Sequence, residues 1–314
     1  MKYKALSVVL LFVIVFAMVP TVALAAPWPP FDWRPPKDRV LVLSAFGAEL
    51  ELMVDAMTID HVDVINGRLA YVGELGGNSV ALMLTGVSMT NAAMSTQAAL
   101  DAYPDTGYIV YSGIAGGVNP ELGIGTLTIP AQWGEYQEAF FARADGEGWN
   151  VGWHSEPFGN YGMMFPQTTD ATRTCGLPDQ SNDMFWFLVD PDMLAVAAAV
   201  MPDVTLQDCV GDVCLDPAPV IVVGGNGVSG PTFVDNAEYR TWVWETFGAD
   251  ALDMETAATA HVAYTNCVPY LAFRSLSDLA GGGPGENQIG TFFAVAAENS
   301  ATAVLTFLEA WAAR

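Results

Sequence analysis

The chain has 314 residues, of which 52% are hydrophobic and 15% charged, and its formal net charge is −24. Only 11 Lys and Arg stand against 35 Asp and Glu. They form no basic cluster that would neutralise a phosphate backbone, so nucleic acid is excluded as a partner and an anionic membrane surface is disfavoured. The high hydrophobic fraction excludes a disordered chain and predicts a compact domain with a sizeable core.

The N-terminal region has the pattern of an export signal. Two Lys precede an uncharged apolar run at residues 5–19, and Ala23 and Ala25 supply the small residues that a signal peptidase requires. We expect residues 1–25 to be a signal peptide, residues 26–38 a Pro-rich spacer, and the protein to be secreted or periplasmic. A proline and the small residues after the run favour cleavage over the alternative, an uncleaved membrane anchor. No membrane contact is expected after cleavage.

The chain contains 4 cysteines. In an oxidising compartment Cys209 and Cys214 would pair with each other, or either of them with Cys175. Cys267 follows an apolar helical pattern and is predicted to be a buried thiol. The 3 His residues lie far from these sulfurs in the sequence, so no metal site is expected.

From Arg39 onward, short apolar runs rich in β-branched or aromatic residues alternate with helical patterns. The predicted strands are residues 39–46, 79–85, 108–112, 127–130, 219–223 and 269–274. The predicted helices are residues 91–103, 191–200, 236–247, 255–264 and 288–311. This alternation predicts an α/β domain over residues 39–314, with a sheet covered on both faces and functional residues at the strand ends.

The segment 133–216 interrupts this alternation. It is rich in Trp, Gly, Pro and Asp, and most of its length has no clear hydrophobic period. We expect an insertion in the domain. Its composition leaves three alternatives open: a lid over a pocket, a subunit contact, or a surface loop.

Two glycine clusters are candidates for ligand contact. Gly225–Gly230 matches GxGxxG, but Pro231 and the following residues separate it from the next predicted helix, whose N-cap is expected at Asp235 or Asn236. That helix cannot meet a pyrophosphate at these glycines, so no dinucleotide is predicted, and no other cofactor is expected. Gly113–Gly117 follows an apolar strand and is predicted to be a loop that approaches a ligand closely.

Carboxylates stand where three predicted strands end. Glu49 lies just beyond the first strand, Asp253 and Glu255 follow a short apolar run, and Asp278 follows the last strand. Acid–base chemistry on a neutral, hydroxyl-rich ligand needs such groups. Each acid taken alone is equally well explained by a favourable interaction with a helix N-terminus.

A series of motifs occurs in order along residues 39–308: LVLSAFGAELELM, TGVSMTNAAMSTQAAL, SGIAGGVNPELGIGTLTIP, SGPTFVDN, LDMETAATAHV and VPYLAFRSLSDLAGG. Together they resemble the nucleoside phosphorylase and 5′-methylthioadenosine/S-adenosylhomocysteine nucleosidase superfamily. GIAGGVNP, TFVDNAEYR and SDLAGGG resemble its secreted branch, which includes plant bark and vegetative storage proteins. The resemblance implies a three-layer α/β/α fold on a mixed central sheet and cleavage of an N-glycosidic bond to a purine.

The resemblance also implies a role for individual residues. Asp278 would protonate N7 of the departing purine, Glu49 would orient or deprotonate the attacking water, and Glu255 would hold the ribose hydroxyls. The other residues implied to bind substrate are Met254, Phe233, Val234, Ser277 and Gly113. The chemistry agrees with these roles, because an oxocarbenium-like transition state needs a protonated acid at the leaving group and a carboxylate that steers water. Burial would keep Asp278 partly protonated.

Two positions distinguish hydrolysis from phosphorolysis. The arginine and serine that clamp phosphate in the hexameric bacterial phosphorylases correspond to Tyr111 and Ile114 here. Residues 45–53 contain no Arg or Lys, so a phosphate beside Glu49 would meet no cation, and water is the expected nucleophile. Nucleosidases carry a hydroxyl at the Ile114 position, so its loss predicts a slow hydrolase.

The sequence therefore predicts a purine nucleosidase acting on adenosine, 5′-methylthioadenosine or S-adenosylhomocysteine. A non-catalytic nucleoside-binding or storage-like protein is the alternative, and a purine nucleoside phosphorylase is third. Retention of Glu49, Glu255 and Asp278 favours the enzyme, whereas Ile114 favours the alternative. The resemblance also implies a homo-oligomer, a dimer or a hexamer, in which a neighbour closes the 5′ end of the nucleoside pocket.

Overall fold

The computed structural model describes residues 37–154, 156–283 and 285–314. The predicted signal peptide at residues 1–25 and almost all of the predicted spacer at residues 26–38 lie outside the described residues. The described residues belong to one compact unit.

Short strands connected by helices and turns make up the described chain. In chain order the strands are β1 (Arg39–Ser44), β2 (Thr58–Ile65), β3 (Arg68–Leu75), β4 (Asn78–Leu84), β5 (Thr106–Gly117), β6 (Leu127–Ile129), β7 (Gln132–Gly134), β8 (Ala139–Phe141), β9 (Arg143–Asp145), β10 (Gly148–Asn150), β11 (Met164–Pro166), β12 (Thr169–Thr172), β13 (Ser181–Met184), β14 (Trp186–Leu188), β15 (Cys209–Val210), β16 (Val213–Cys214), β17 (Ile221–Val223), β18 (Asn226–Ser229), β19 (Ala249–Asp253) and β20 (Tyr270–Asp278). The α-helices are α1 (Gly47–Ala56), α2 (Met89–Ala102), α3 (Pro191–Val200), α4 (Ala237–Phe247), α5 (Thr256–Asn266) and α6 (Ile289–Ala312).

A sheet of 12 strands runs through the centre of the fold. Its main path has the order β14-β7-β18-β19-β5-β1-β4-β3-β2, and β20, β6 and β17 branch from β5. β1 is parallel to β4 and β5, and β20 is parallel to β5. β19 is antiparallel to β5, and β3 is antiparallel to β2 and β4. The sheet is therefore mixed, as predicted.

Helices cover both faces of this sheet. Phe273 of β20 packs on Phe307 of α6 with ring centroids 5.4 Å apart, whereas the next residue, Arg274, donates a hydrogen bond to Thr256 of α5 at 2.9 Å. Successive side chains of a strand point to opposite faces, so α6 and α5 lie on opposite sides of the sheet. The predicted three-layer α/β/α architecture is confirmed.

The helix α6 is long and apolar enough in composition to cross a membrane. Most of its most apolar window is buried inside this fold, and it packs against β20 and β5. Those contacts are typical of a core helix in an α/β domain.

Every predicted strand and helix overlaps an observed one, but the helix α1 and the hairpin β2–β3 were not predicted. β2 is an edge strand with most residues exposed, so its alternation of apolar and polar residues is weak. The signal that was overlooked is the dipeptide Asn66-Gly67, in which both residues have positive φ. That geometry is typical of a two-residue hairpin turn.

The segment 133–216 lies only partly outside the central sheet. Its first strand, β7, pairs with β18, and β14 pairs with β7, so both extend the sheet. Between them, β8 to β13 form three separate two-stranded pairs. Near its end lies α3, the one helix predicted there.

The predicted separation between the glycine cluster 225–230 and the next helix is confirmed. Gly227 lies inside β18, and α4 begins only at Ala237. Its N-cap is Asn236, whose side chain accepts a hydrogen bond from the Tyr239 amide at 2.8 Å. The glycine cluster therefore does not open a helix.

Two disulfides are present, Cys175–Cys267 and Cys209–Cys214. The pairing of Cys209 with Cys214 was among the predicted alternatives, but the prediction of a buried Cys267 thiol was wrong. Cys267 is the C-cap of α5 in a left-handed conformation with φ 56°. The chain before Cys175 runs beside the end of this helix, since the Thr174 amide donates to the Thr265 carbonyl at 2.7 Å.

Replacing both Cys175 and Cys267 by Ser is expected to lower the free energy of unfolding by about 4–5 kcal/mol, because the bridge closes a long loop in the unfolded chain. The two cysteines are 92 residues apart in sequence, against 5 for Cys209 and Cys214. The matched Cys209→Ser/Cys214→Ser variant should lose only about 2 kcal/mol. Urea unfolding without reductant measures both values. Equal losses would contradict the loop-closure explanation.

Candidate active site

Most of the predicted site residues line one cavity. Glu49 reaches it from α1, Ser277 and Asp278 from the end of β20, and Met254 and Glu255 from the β19–α5 junction. The other predicted residues on its wall are Phe233 and Val234, from the β18–α4 connection. These elements converge because strands of one sheet end there, as the sequence predicted.

Glu49 is fully buried and is held entirely by hydrogen-bond donors. Its Oε2 accepts from the amides of Ala45 at 2.7 Å and Phe46 at 3.2 Å, and its Oε1 accepts from the Ile114 amide at 2.9 Å. The first two bonds tie the carboxylate to the start of its own helix. Burial raises the pKa of Glu49 to about 7, although Arg274 opposes the shift. The group therefore changes charge near neutral pH.

Arg274 is a fully buried cation behind the cavity, and sequence analysis missed it. It approaches Asp253 at 2.8 Å through Nε, Glu255 at 3.3 Å through Nη2 and Glu49 at 3.9 Å through Nη1. Its guanidinium also lies over the Tyr111 ring, 4.4 Å from the centroid. The surrounding carboxylates raise its pKa against the opposing effect of burial. The available signal was a single charge at the end of the apolar run that predicted the strand 269–274.

Glu255 is the N-cap of α5 and is almost fully buried. Its Oε1 accepts from the Ser88 amide at 2.8 Å, and its Oε2 accepts from Arg274 at 3.3 Å. Desolvation raises the pKa of Glu255, and Arg274 lowers it. One oxygen is therefore fixed by backbone and the other by a cation, so the carboxylate is held rigidly at the cavity wall.

Asp253 contacts the residues that hold Glu255 in place, and the sequence indicated it only weakly. Its Oδ1 accepts from the Ser229 hydroxyl and from the amides of Glu255 and Thr256, each of the amides at 3.2 Å. Its Oδ2 accepts from the Thr256 hydroxyl and contacts Arg274. With every oxygen occupied by protein donors, Asp253 positions Arg274 and the start of α5.

Asp278 ends β20 and is 2% exposed. Its Oδ1 accepts from the Ala280 amide at 2.8 Å and from Asn287 Nδ2 at 3.3 Å, and its Oδ2 lies 3.0 Å from the Ser277 hydroxyl. Desolvation by burial raises the pKa of Asp278, and these hydrogen bonds oppose the shift. The group is thus suited to carry a proton at a higher pH than an exposed aspartate.

Two residues with left-handed backbone hold these acids. Ser88 has φ 82° and Ala280 has φ 49°, although neither is glycine. Their amides donate to Glu255 and to Asp278, respectively, at 2.8 Å each. Such backbone costs about 1–3 kcal/mol per residue and persists where the surroundings enforce it. The strain is therefore associated with the orientation of two cavity carboxylates.

The structure corrects the expectation for Gly113–Gly117. These residues belong to β5, which continues to Gly117, and not to a loop. Gly113 does not line the cavity. A Cβ on it would lie 2.3 Å from Arg274 Nη1 and 2.7 Å from Glu49 Oε1. Gly113 therefore leaves space for the buried ion pairs behind the cavity, which is why the position needs glycine.

Tyr111 and Ile114 occupy the two positions that the sequence singled out. Tyr111 is fully buried, and its hydroxyl is hydrogen-bonded to Thr85 at 2.7 Å. The side chain of Ile114 lies in the cavity wall, and its carbonyl accepts from Arg274 at 2.9 Å. An aromatic ring and an aliphatic side chain therefore stand beside Arg274 and Glu49.

The remaining wall is largely apolar. Phe233 is 53% exposed at the cavity, whereas Val234 is buried. Phe46 stacks on Phe293 with centroids 5.1 Å apart, and Ile289 lies near this pair at the start of α6. Such a wall fits a flat aromatic ring with few charged groups.

Within residues 37–154, 156–283 and 285–314, no group of three or more His, Cys, Asp or Glu side chains is arranged to hold a metal ion.

Known proteins resemble this chain in both sequence and architecture. The profile of the phosphorylase superfamily matches residues 39–309. A 5′-methylthioadenosine/S-adenosylhomocysteine nucleosidase of Tolumonas auensis is 26% identical over 274 residues, which cover 86% of this chain and 99% of the relative. Bark storage protein A of Populus deltoides is 23% identical over 221 residues, which cover 69% of this chain and 70% of that protein.

Among solved structures, the 5′-methylthioadenosine/S-adenosylhomocysteine nucleosidase of Neisseria meningitidis, in complex with methylthio-immucillin-A, has a TM-score of 0.64 and 23% identity. The alignment covers 87% of this chain and 99% of that one. The α/β/α fold and the acid-lined cavity define a phosphorylase-like α/β protein. The chain belongs to the phosphorylase superfamily, and the resemblance seen in its motifs is confirmed.

Proposed function

We propose that this protein is a purine nucleosidase that hydrolyses the N-glycosidic bond of adenine-type nucleosides. The observation that carries the proposal is the pair of acids in one cavity, Asp278 and Glu49, each with a pKa raised by burial and each held by different donors. A nucleosidase needs one acid to protonate the leaving base and a second to activate water. Its relatives include proteins named as nucleosidases.

In the proposed reaction, protonated Asp278 donates to N7 of the purine while ionised Glu49 takes a proton from the attacking water. Glu255 binds the ribose hydroxyls, and its negative charge stabilises the developing positive charge on the sugar. The purine lies against Phe233, with the Val234 backbone at its edge. Met254 and Ser277 also line the cavity and contact the substrate.

Water is the proposed nucleophile because no cation among the described residues around the cavity is free to bind phosphate. Among the described residues that line the cavity, none is Lys or Arg. The donors of Arg274 are directed at Thr256, the Ile114 carbonyl and Glu255. A phosphate dianion there would face Glu49 and Glu255 without compensation, which disfavours its binding.

A non-catalytic, storage-like protein is the second candidate. Two observations favour it: Ile114 offers no hydroxyl to fix a water beside Glu49, and a bark storage protein is among the relatives. The retained acids favour the enzyme, since a pure binder does not need a buried proton donor.

The test is release of free purine from adenosine, inosine, 5′-methylthioadenosine and S-adenosylhomocysteine, with and without phosphate. Equal release in both buffers is the expected result. Release that requires phosphate would overturn the assignment of water as nucleophile. Nucleoside binding without release would favour the storage-like candidate.

The pH dependence of kcat/KM follows from Glu49. Because its pKa is raised to about 7 and the ionised form is the base, kcat/KM should fall about tenfold per pH unit below that value. The measurement is kcat/KM for the best nucleoside, determined from initial rates at each pH, because its pH profile reports the pKa values of the free enzyme. A constant kcat/KM between about pH 5 and about pH 7 would show that Glu49 is not the base.

We also propose that the protein is exported and forms a homo-oligomer. Its disulfides support export, because such bonds persist in oxidising compartments. The half-exposed ring of Phe233 on the cavity supports closure by a neighbouring subunit. Sizing chromatography and the N-terminus of the mature chain test the two points.

A further inference from the structure

Asn287, just before α6, makes contacts that the proposed reaction does not yet use. Its Nδ2 donates to Asp278 Oδ1 at 3.3 Å and to Asp235 Oδ1 at 3.0 Å. Its Oδ1 accepts from the Ile289 amide at 2.9 Å. Carboxylates only accept and an amide N–H only donates, so the orientation of the Asn287 amide is unambiguous.

The two oxygens of Asp278 consequently differ. Oδ1 accepts hydrogen bonds from the Ala280 amide and from Asn287 Nδ2, so a proton on Oδ1 would point at two donors. Oδ2 lies beside the Ser277 hydroxyl, which can instead donate to the Ala115 carbonyl at 3.3 Å. A proton on Oδ2 therefore keeps every partner satisfied.

Asp235 extends this arrangement to the purine side of the cavity. It directly follows Val234, and the Asn236 amide donates to the Ala280 carbonyl at 3.1 Å. The segment 232–235 and the turn after Asp278 are thus joined by backbone as well as by Asn287.

We propose that Asn287 is a positioning residue that assigns the proton of the catalytic acid to Asp278 Oδ2 and couples that acid, through Asp235, to the segment that covers the purine. The inference rests on the proposed nucleosidase function. Besides Asn287, the groups that face Asp278 are Ser277 and the Ala280 amide on its own segment, Asp235 from the β18–α4 connection, and the uncharged β5 backbone at Gly116.

The basic limb of the kcat/KM profile is the fall in kcat/KM at high pH, where Asp278 loses its proton. Two substitutions should shift this limb in opposite directions. Asn287→Ala removes a hydrogen bond that favours the carboxylate, so the limb moves to higher pH, and lost orientation lowers kcat about tenfold. Asp235→Asn removes a negative charge that raises the pKa of Asp278, so the limb moves to lower pH. A merely structural disturbance would not produce opposite shifts.

Gln288→Ala is the matched control, since Gln288 is exposed and begins the same helix without a side-chain contact to Asp278. Its kcat, KM and basic limb should equal those of the wild type. Unchanged kcat and an unchanged limb in Asn287→Ala would overturn the inference, as would shifts in the same direction for Asn287→Ala and Asp235→Asn.

A measurement without turnover separates this inference from the proposed function. The Asp278 carboxyl carbon is titrated by ¹³C NMR in the wild type, Asn287→Ala and Asp235→Asn, with Asp278→Asn identifying the signal. Opposite shifts support the assignment of Asn287 even if the wild type releases no base, a result that would refute only the nucleosidase. Titration curves identical to the wild type would refute the role of Asn287 even if base is released.

Discussion

If the proposed reaction is correct, Asp278→Asn is expected to lower kcat by about 10²–10⁴-fold while KM changes only a few-fold, because the substitution removes the proposed proton donor to the leaving base. The substitution preserves shape: the new amide oxygen can accept from the Ala280 amide and Asn287, as Oδ1 does now. Steady-state release of purine from the preferred nucleoside measures both parameters. Loss of kcat with retained KM identifies a group that acts in the transition state.

The matched control is Asp250→Asn. Asp250 is another buried aspartate, and burial raises its pKa as it does that of Asp278, but Asp250 bonds to Asn119 and does not line the cavity. Its kcat should stay within about twofold of the wild type. An Asp278→Asn protein with normal kcat would remove Asp278 from the mechanism, and an equal loss in Asp250→Asn would point to general damage.

Arg274→Met is expected to lower the free energy of unfolding by about 3–5 kcal/mol, because the substitution leaves buried carboxylates without a cation to compensate their charge. Those carboxylates are Glu49, Asp253 and Glu255, all close to the guanidinium in a fully buried site. Urea unfolding at neutral pH measures the loss. The same substitution at the exposed Arg173, which lies over the Tyr264 ring, should cost only about 0.5–1 kcal/mol.

The sign of the pH dependence gives a second check on Arg274. Without the guanidinium, the pKa values of Glu49 and Glu255 rise further in the folded state, so the folded protein binds protons more readily than the unfolded chain. The stability lost in Arg274→Met should therefore be partly recovered at about pH 5 relative to about pH 8. A penalty that is independent of pH would contradict the electrostatic explanation.

Local patterns predicted the elements whose burial is uniform. β1 and β20 are buried on both faces, and β1 and the first half of β20 appear in the sequence as apolar runs. β2 escaped prediction because an edge strand with exposed residues has no such run. Cys267 was misassigned because its partner, Cys175, lies 92 residues away, and only the folded chain brings that segment to the end of α5.

The motifs likewise predicted the cavity acids, since strand ends in an α/β sheet bring side chains together regardless of the loops between them. Gly113 was assigned to the substrate for the same reason, yet it lies behind the cavity. Its true neighbours, Arg274 and Glu49, come from β20 and α1, and a sequence pattern does not contain the register that joins them.

The sequence by itself determined the family, the mixed α/β sheet and the position of Glu49, Glu255 and Asp278 at its strand ends. Only the tertiary structure decided how those acids are charged. Their pKa values depend on burial and on contacts with Arg274, Ser88 and Asn287, which are distant in the chain. Hydrophobic periodicity is a local pattern that can be recognised in the sequence. Desolvation and Coulomb interactions depend instead on distances that exist only after folding.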